Sequence, residues 1–458
     1  MARRRGYPAH ESGRNHYTLP RTLITIKVLL GRVFFLKEES AIIMYQSENW
    51  DPNPYTYIPS NLDAIDNPNN LYNAFKLSKR GVNWKTSVQR YEINMLSNIA
   101  KAYYDIENGI YIPKPPFEFT LHERGKDRSI KAVCIEDRVI QRSLNDNVLT
   151  PAVANFLIYD NGASQTGKGL SFARNRFKEH LRRFYINNKD YRDENGNIGY
   201  VLFIDFSKYF DNIIHSLMLD MIYPLLNEDV FNFVAKLFAQ FKVDVSYMTD
   251  DEYASCLSDL FVMLDHDHLP KELFTGEKFM EKSVGIGNQM SQITGLFYPH
   301  HVDNLCKIVL GIKEYGRYQD DTYIMGRNKE ELWDLLNNKL VPEYQKLGIH
   351  INQKKTRIVP MNSEMMYLKI KYILRDSGKI IELIPKETFR REYKRLDKFE
   401  ELIYQGKMTP DEVIQCFISW YGSYYKFDSK RELDELRRYF RFKFNIPDGY
   451  YINEKYMI

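Results

Sequence analysis

Cysteine is scarce: Cys134, Cys256, Cys306 and Cys416 are widely scattered over 458 residues, and no two of them form a CxxC pair. That spacing offers neither a zinc ribbon nor a disulfide framework, and it fits a reducing, intracellular compartment. Long apolar runs are lacking too. The stretch Leu23 to Leu36 is interrupted by Lys27, Gly31 and Arg32, too short and too charged to cross a bilayer. The polar stretch Ala9 to Tyr17 separates it from the basic start Arg3-Arg4-Arg5, and no small-residue cleavage site follows, unlike a signal peptide. Nor does one sign of charge dominate. Sixty-four Lys and Arg oppose 60 Asp and Glu, a net charge of +4, so a polyanion would have to be met by local basic clusters. There is no internal repeat and no low-complexity tract.

Aromatic residues, in contrast, are plentiful, with 34 Tyr and 27 Phe. Tyrosine joins an apolar ring to a polar tip, which suits stacking on bases and hydrogen bonding to riboses. The length allows two or three packed units, and a 44% hydrophobic content can bury a substantial core. Residues 1–43 read as an N-terminal extension, with the main body starting near Met44. Glu48 to Asn70 is rich in Asn, Pro and Asp and reads as loop. Helical spacing runs through Leu71 to Asp105 and stops before Pro113, Pro115 and Pro116. Phe117 to Leu121 and Ala132 to Ile135 flank a charged turn as a hairpin. Glu136 to Leu149 reads as an amphipathic helix ended by Pro151, and Leu170 to Tyr185 as a basic helix. Ser216 to Phe241 is helical in pattern, and Asp250 to Lys282 reads as a polar, irregular insertion. Helices are expected from Gln292, over Glu330 to Leu347, and from Phe389 onward, with short strands over Ile349 to Ile373. This order of strands and helices predicts an α+β sheet platform with a helical appendage.

Tyr318-Gln319-Asp320-Asp321 lies between the run Ile312 to Tyr318 and Tyr323-Ile324-Met325, and reads as a hairpin tip carrying two carboxylates. Asp205 ends the apolar run Tyr200 to Ile204. Three aspartates on strand ends suit a pair of Mg²⁺ ions, which take hard oxygen ligands. Two such ions, on the order of 4 Å apart, stabilise the attacking and leaving oxygens of an in-line phosphoryl transfer. Adjacent carboxylates on a tight turn repel, and a cation compensates. The bland readings are an Asp-rich turn and an acidic helix N-cap. In Asp205-Phe206-Ser207-Lys208-Tyr209-Phe210-Asp211, the Phe206 carbonyl can reach the same ion, and the Phe210 ring can lie beneath an incoming sugar, where a 2′-hydroxyl would clash.

Gly285-Ile286-Gly287-Asn288-Gln289-Met290-Ser291-Gln292 opens a helix. Gly287, Asn288 and Gln292 are candidates to contact a base pair or template phosphate; a glycine loop with an N-cap is the plain alternative. The tip His122 to Lys131 gathers Arg124, Lys126, Arg128 and Lys131, enough to clamp a triphosphate, or simply a solvated turn. Lys355 or Lys354 can protonate a pyrophosphate leaving group, or else lines a charged strand edge. Gly162 to Gly169 nearly matches a P-loop, but Gly169 stands where the Mg²⁺-binding hydroxyl belongs. Asp265-His266-Asp267-His268 reads as a solvated loop. Phe389, Tyr393, Leu396 and Phe399 form an apolar helical stripe beside the basic Arg390, Arg391, Lys394, Arg395 and Lys398, suited to a duplex backbone or to solvent.

In this order, from about Leu71 to Trp420, the segments resemble a reverse transcriptase. Ile204 to Asp211 resembles the first palm motif, Gly285 to Gln292 the second, and Tyr318 to Asp321 the YxDD box. Leu347 to Thr356 resembles the following lysine motif, and Tyr367 to Ile370 the primer grip. The resemblance implies a right-hand polymerase with fingers (44–199), an antiparallel palm (200–375, with an insertion about 245–282) and a helical thumb and tail (376–458). It implies Asp205, Asp320, Asp321 and the Phe206 carbonyl as ligands of two Mg²⁺ (or Mn²⁺), Phe210 as steric gate, Arg128 with Lys126 on the triphosphate, and Lys355 as acid. Gly285-Ile286-Gly287 stands where many reverse transcriptases carry Pro-Gln-Gly, and Ser291 is followed by Gln292 rather than proline. This pattern resembles enzymes of diversity-generating retroelements and bacterial lineages of uncertain assignment, several active in antiphage defence. The expectation is a cytoplasmic, membrane-free RNA-directed DNA polymerase of a bacterial defence system. It would copy a dedicated non-coding RNA into DNA from dNTPs, alone, as a homo-oligomer or with a partner protein. The alternatives are a diversity-generating retroelement enzyme and, more distantly, an idle RNA-binding scaffold or a P-loop NTPase. With a thumb over 376–458, no RNase H or endonuclease domain is expected after it.

Overall fold

The computed structural model describes residues 62–123, 126–264 and 269–446, together with the backbone of a few short strands in the N- and C-terminal segments. The chain divides into two compact units, Met1–Thr56 and Tyr57–Ile458. Within the first, Val28–Leu29 pairs with Arg32–Val33. The expectations for residues 1–43, for Arg124 and for Asp265 to His268 lie outside the described residues.

The second unit is α+β, with helices packed on antiparallel sheets. Its central sheet has four strands in the order Arg357–Pro360, Tyr200–Ile204, Asp321–Gly326, Tyr315–Tyr318, antiparallel throughout. All five residues of Tyr200–Ile204 are buried, which is why this strand is an unbroken apolar run: both of its faces are covered. Alternation divides them. Tyr200, Leu202 and Ile204 enter a core shared with the N-terminal helices, while Val201 and Phe203 enter a second core with the C-terminal helices.

The predicted helix Leu71 to Asp105 is three helices, Pro68–Ser78, Thr86–Ile93 and Met95–Glu107. Pro151 does not end its helix. The segment Ile135–Leu144 widens into a π-turn at Asn145–Leu149 and runs on into Thr150–Val153; the widened turn just before Pro151 accommodates a residue that has no N–H to donate. The stretch Asp250 to Lys282 is not wholly irregular. Asp250–Ser258 is helical because Thr249 and Glu252 form a reciprocal capping box. Pro224 divides the next predicted helix into His215–Ile222 and Glu228–Phe238. The C-terminal helices Lys386–Tyr404, Pro410–Tyr424 and Lys430–Lys443 close on Leu396, Phe417, Leu436 and Phe440. Among the described residues no helix is long and apolar enough to cross a membrane.

Candidate active site

The three aspartates meet at one end of the central sheet. Thr322 pairs with Ile204, so one step further the register sets Asp321 opposite Asp205. Arg357 pairs with Phe203 on the other side of the same strand, and two steps further Lys355 lies beside Asp205. Its Nζ is 3.4 Å from Asp205 Oδ2. The hairpin turns on Gln319 and Asp320, with Asp321 beginning the return strand opposite Tyr318. Gln319 takes φ +55°, a left-handed conformation that lets two residues reverse the chain with the twist of the flanking strands.

Charge crowds here. Burial, then the charges of Asp320 and Asp205, push the Asp321 carboxyl up to about 7, while Lys369 and Arg357 pull it back. Asp320 is raised by burial and by Asp205, against Arg128 and Lys355. Both residues are exposed at the sheet end, so a cation arriving from solvent can reach the carboxylates that burial and mutual repulsion disfavour. Arg128, 192 positions away from Asp320 in sequence, is thus brought within electrostatic reach of it. The oxygens of Asp205, Asp320 and Asp321 do not all lie within 4.8 Å of one another; among the described residues only Asp63, Asp66 and Glu107 form such a trio. The donor set is nevertheless hard, anionic oxygen, which fits Mg²⁺, and ligands for two ions spread over a wider span than one ion's shell.

The strand Phe206–Ser207 pairs with His350–Ile351. The Asp205 carbonyl accepts from the Asn352 N–H at 2.8 Å, so by alternation the Phe206 carbonyl turns to the opposite edge. Phe210 packs edge-on against Tyr209 at 5.2 Å and lies over Gly295, where a Cβ would come 2.7 Å from its ring and 2.7 Å from Gln319 Oε1. The helix begins at Gln289 rather than Gln292, with Asn288 as N-cap. Asn288 is spent on its own loop: its amide donates to Val284 and Gly285 carbonyls, and its Oδ1 accepts from the Ser291 N–H. Gly287 and Gln292 are exposed. The loop is joined to the basic hairpin through the Lys131 N–H donating to Ile286 O at 3.2 Å. Lys126 belongs to the strand Lys126–Ala132; its side chain lies outside the described residues.

Sequence reasoning missed the group that holds the turn. Arg317 is fully buried against Asp303, 2.7 Å apart. Its remaining donors go to the carbonyls of Gly295 (3.1 Å), Leu296 (2.6 Å) and Gln319 (3.0 Å). Burial opposes its charge, but Asp303 outweighs burial and holds the guanidinium above its ordinary range. One side chain thus ties the last turn of the Gln289–Phe297 helix, beneath Phe210, to the turn that presents Asp320. The available signal was a charged residue inside a strand otherwise read as apolar.

The Gly162 to Gly169 loop braces the same turn. Gly162 N–H donates to Arg317 O, and Gln319 Nε2 donates to Ser164 Oγ at 3.1 Å. Lys168 donates to the carbonyls of Tyr159 and Asn161, so its ammonium is engaged by its own loop. Lys369 enters from the tight turn Leu368-Lys369, both at positive φ, between Met365–Tyr367 and Ile370–Leu374.

No protein-family model matches the chain, and no curated protein matches it.

Proposed function

We propose that the chain is a right-hand polymerase, an RNA-directed DNA polymerase of a bacterial antiphage defence system that copies a dedicated non-coding RNA in the cytoplasm. In this reading residues 44–199 are fingers, 200–375 palm and 376–458 thumb and tail. The observation that carries it is the meeting of Asp205, Asp320 and Asp321 at one sheet end, with Lys355 at 3.4 Å from Asp205 and Arg128 within electrostatic reach of Asp320. Four cations from three segments, Arg128, Lys355 with Arg357, and Lys369, surround three carboxylates. A site for a nucleoside triphosphate and a nucleic-acid backbone needs that mixture, because acids hold cations while bases hold phosphates.

Asp205, Asp320, Asp321 and the Phe206 carbonyl would hold two Mg²⁺ ions, with Mn²⁺ as an alternative. Bound there, the ions stabilise the charge that develops on the attacking and leaving oxygens. Arg128, with Lys126, holds the triphosphate. Phe210 excludes a ribose 2′-hydroxyl. Lys355, 3.4 Å from Asp205, is positioned to protonate pyrophosphate as it leaves. The diversity-generating retroelement enzyme shares this chemistry and differs in template. The P-loop reading is disfavoured by the engagement of Lys168 with its own loop.

The test is incorporation of deoxynucleotides on a primed RNA template by the purified protein and by Asp320→Ala with Asp321→Ala. Loss of incorporation in the folded double variant is expected. Incorporation at the wild-type rate removes the proposal. Sequencing the nucleic acid that copurifies with the protein identifies the template and separates the defence reading from the retroelement one.

A further inference from the structure

A second carboxylate cluster lies outside the site described above. Asp63 and Asp66 stand one turn apart on the short helix Asp63–Asp66, and Glu107 is the last residue of Met95–Glu107. One oxygen from each lies within 4.8 Å of the others. Asp66 is 1% exposed, and both of its carboxylate oxygens are buried with no hydrogen-bond partner. A buried carboxylate is ordinarily paired with a donor or a cation. The carbonyls around it are already engaged: Ser143 Oγ donates to Ile65 O, and Asn70 Nδ2 donates to Ala64 O at 2.9 Å. The segment is therefore held in place with its one buried acid turned towards two further acids.

We propose that Asp63, Asp66 and Glu107 bind a hard divalent cation, Ca²⁺ or Mg²⁺, which clamps the helix Asp63–Asp66 to the C-terminal end of Met95–Glu107. Three carboxylates with no sulfur or imidazole among them select hard cations over zinc or copper. The rival arrangement is a proton shared between Asp66 and Glu107. Both Asp66 oxygens are buried without a donor beside two further acids, so a proton or a cation has to answer the charge. A single proton neutralises one of three charges, whereas a divalent ion answers two and draws in the third acid as a ligand. The site is independent of the polymerase reading, since none of its residues belongs to the Asp205 cluster.

The test is calorimetric titration of the chelator-treated full chain with CaCl₂ and, separately, with MgCl₂. It is done in the wild type and in Asp320→Asn with Asp321→Asn, each with and without Asp66→Asn. The double variant should retain a saturable ion whose affinity falls at least tenfold on adding Asp66→Asn. The salt that gives the saturable heat identifies the ion. The same ion should raise the thermal midpoint of the double variant and leave that of the triple variant, with Asp66→Asn added, unmoved. If Asp66→Asn does not fold, Glu107→Gln, a change at an exposed position, carries the same comparison. A triple variant that binds the ion as the double variant does, or that melts higher while its ion count is unchanged, identifies a shared proton and overturns the proposal. So does absence of any saturable ion in the double variant.

Discussion

Replacing Arg317 by methionine removes a buried charge while keeping the volume of the side chain. Asp303, 1% exposed, is then left without its cation; it keeps only the Tyr315 hydroxyl as a donor among its described partners. Breaking a buried pair by removing one partner costs about 3–5 kcal/mol. The carbonyls of Gly295, Leu296 and Gln319 also lose a donor, at about 1–3 kcal/mol for each group left unsatisfied and buried. These terms are not additive, and water can reach the Gln319 carbonyl at the turn, so about 4–5 kcal/mol is the expected total. Urea unfolding followed by circular dichroism measures it. Adding Asp303→Leu should recover most of the loss, because removing both charges leaves no orphan. Activity should not recover with stability. The tether on Gln319 is absent in both variants, and a shift of the turn by about 1 Å is worth about 100-fold in rate. A cost under about 1 kcal/mol for Arg317→Met would refute the assignment of Arg317 as the group organising the turn. So would full activity in the double variant.

Phe210→Ala should admit ribonucleotides, read as a rise in the ratio of ribo- to deoxynucleotide incorporation; an unchanged ratio removes the steric-gate role. Gly295→Ala should cost about 1–3 kcal/mol through overpacking and loosen the same sugar discrimination, since the new Cβ would meet the Phe210 ring at 2.7 Å; a variant with wild-type stability and discrimination refutes the contact. His215 is buried, its Nε2 donates to Ser283 O, and burial lowers its ring to about 4. The unfolded ring protonates near the ordinary value of about 6.5 and the folded ring does not, so the unfolded state binds more protons. Stability therefore falls as pH drops from about 6.5 towards about 4, by at most about 3 kcal/mol. His215→Gln should flatten that slope in denaturant titrations at the two ends of the range, and an unchanged slope assigns the acid sensitivity elsewhere.

Local patterns carried much of this architecture. The run Tyr200 to Ile204 reads as an apolar strand, the charged stretch after Leu121 as a hairpin, and Tyr318 to Asp321 as a turn, because period and turn chemistry are short-range properties. Two local patterns differ from the structure: a π-turn carries the helix past Pro151, and the Thr249–Glu252 capping box starts a helix within a polar stretch. Asn288 looked free to meet a ligand, yet capping its own helix satisfies all its hydrogen-bonding groups nearby.

The amino-acid order alone placed acids at strand ends and named the residues to watch, since a strand's alternation and a turn's chemistry are written within a few neighbouring positions. Only the tertiary structure brought Asp205, Lys355, Arg128 and Lys369 to one sheet end, and only it paired Arg317 with Asp303 beneath the turn. Strand register and burial join segments more than a hundred residues apart, and a charge's partner in the interior is set by packing that no local pattern encodes.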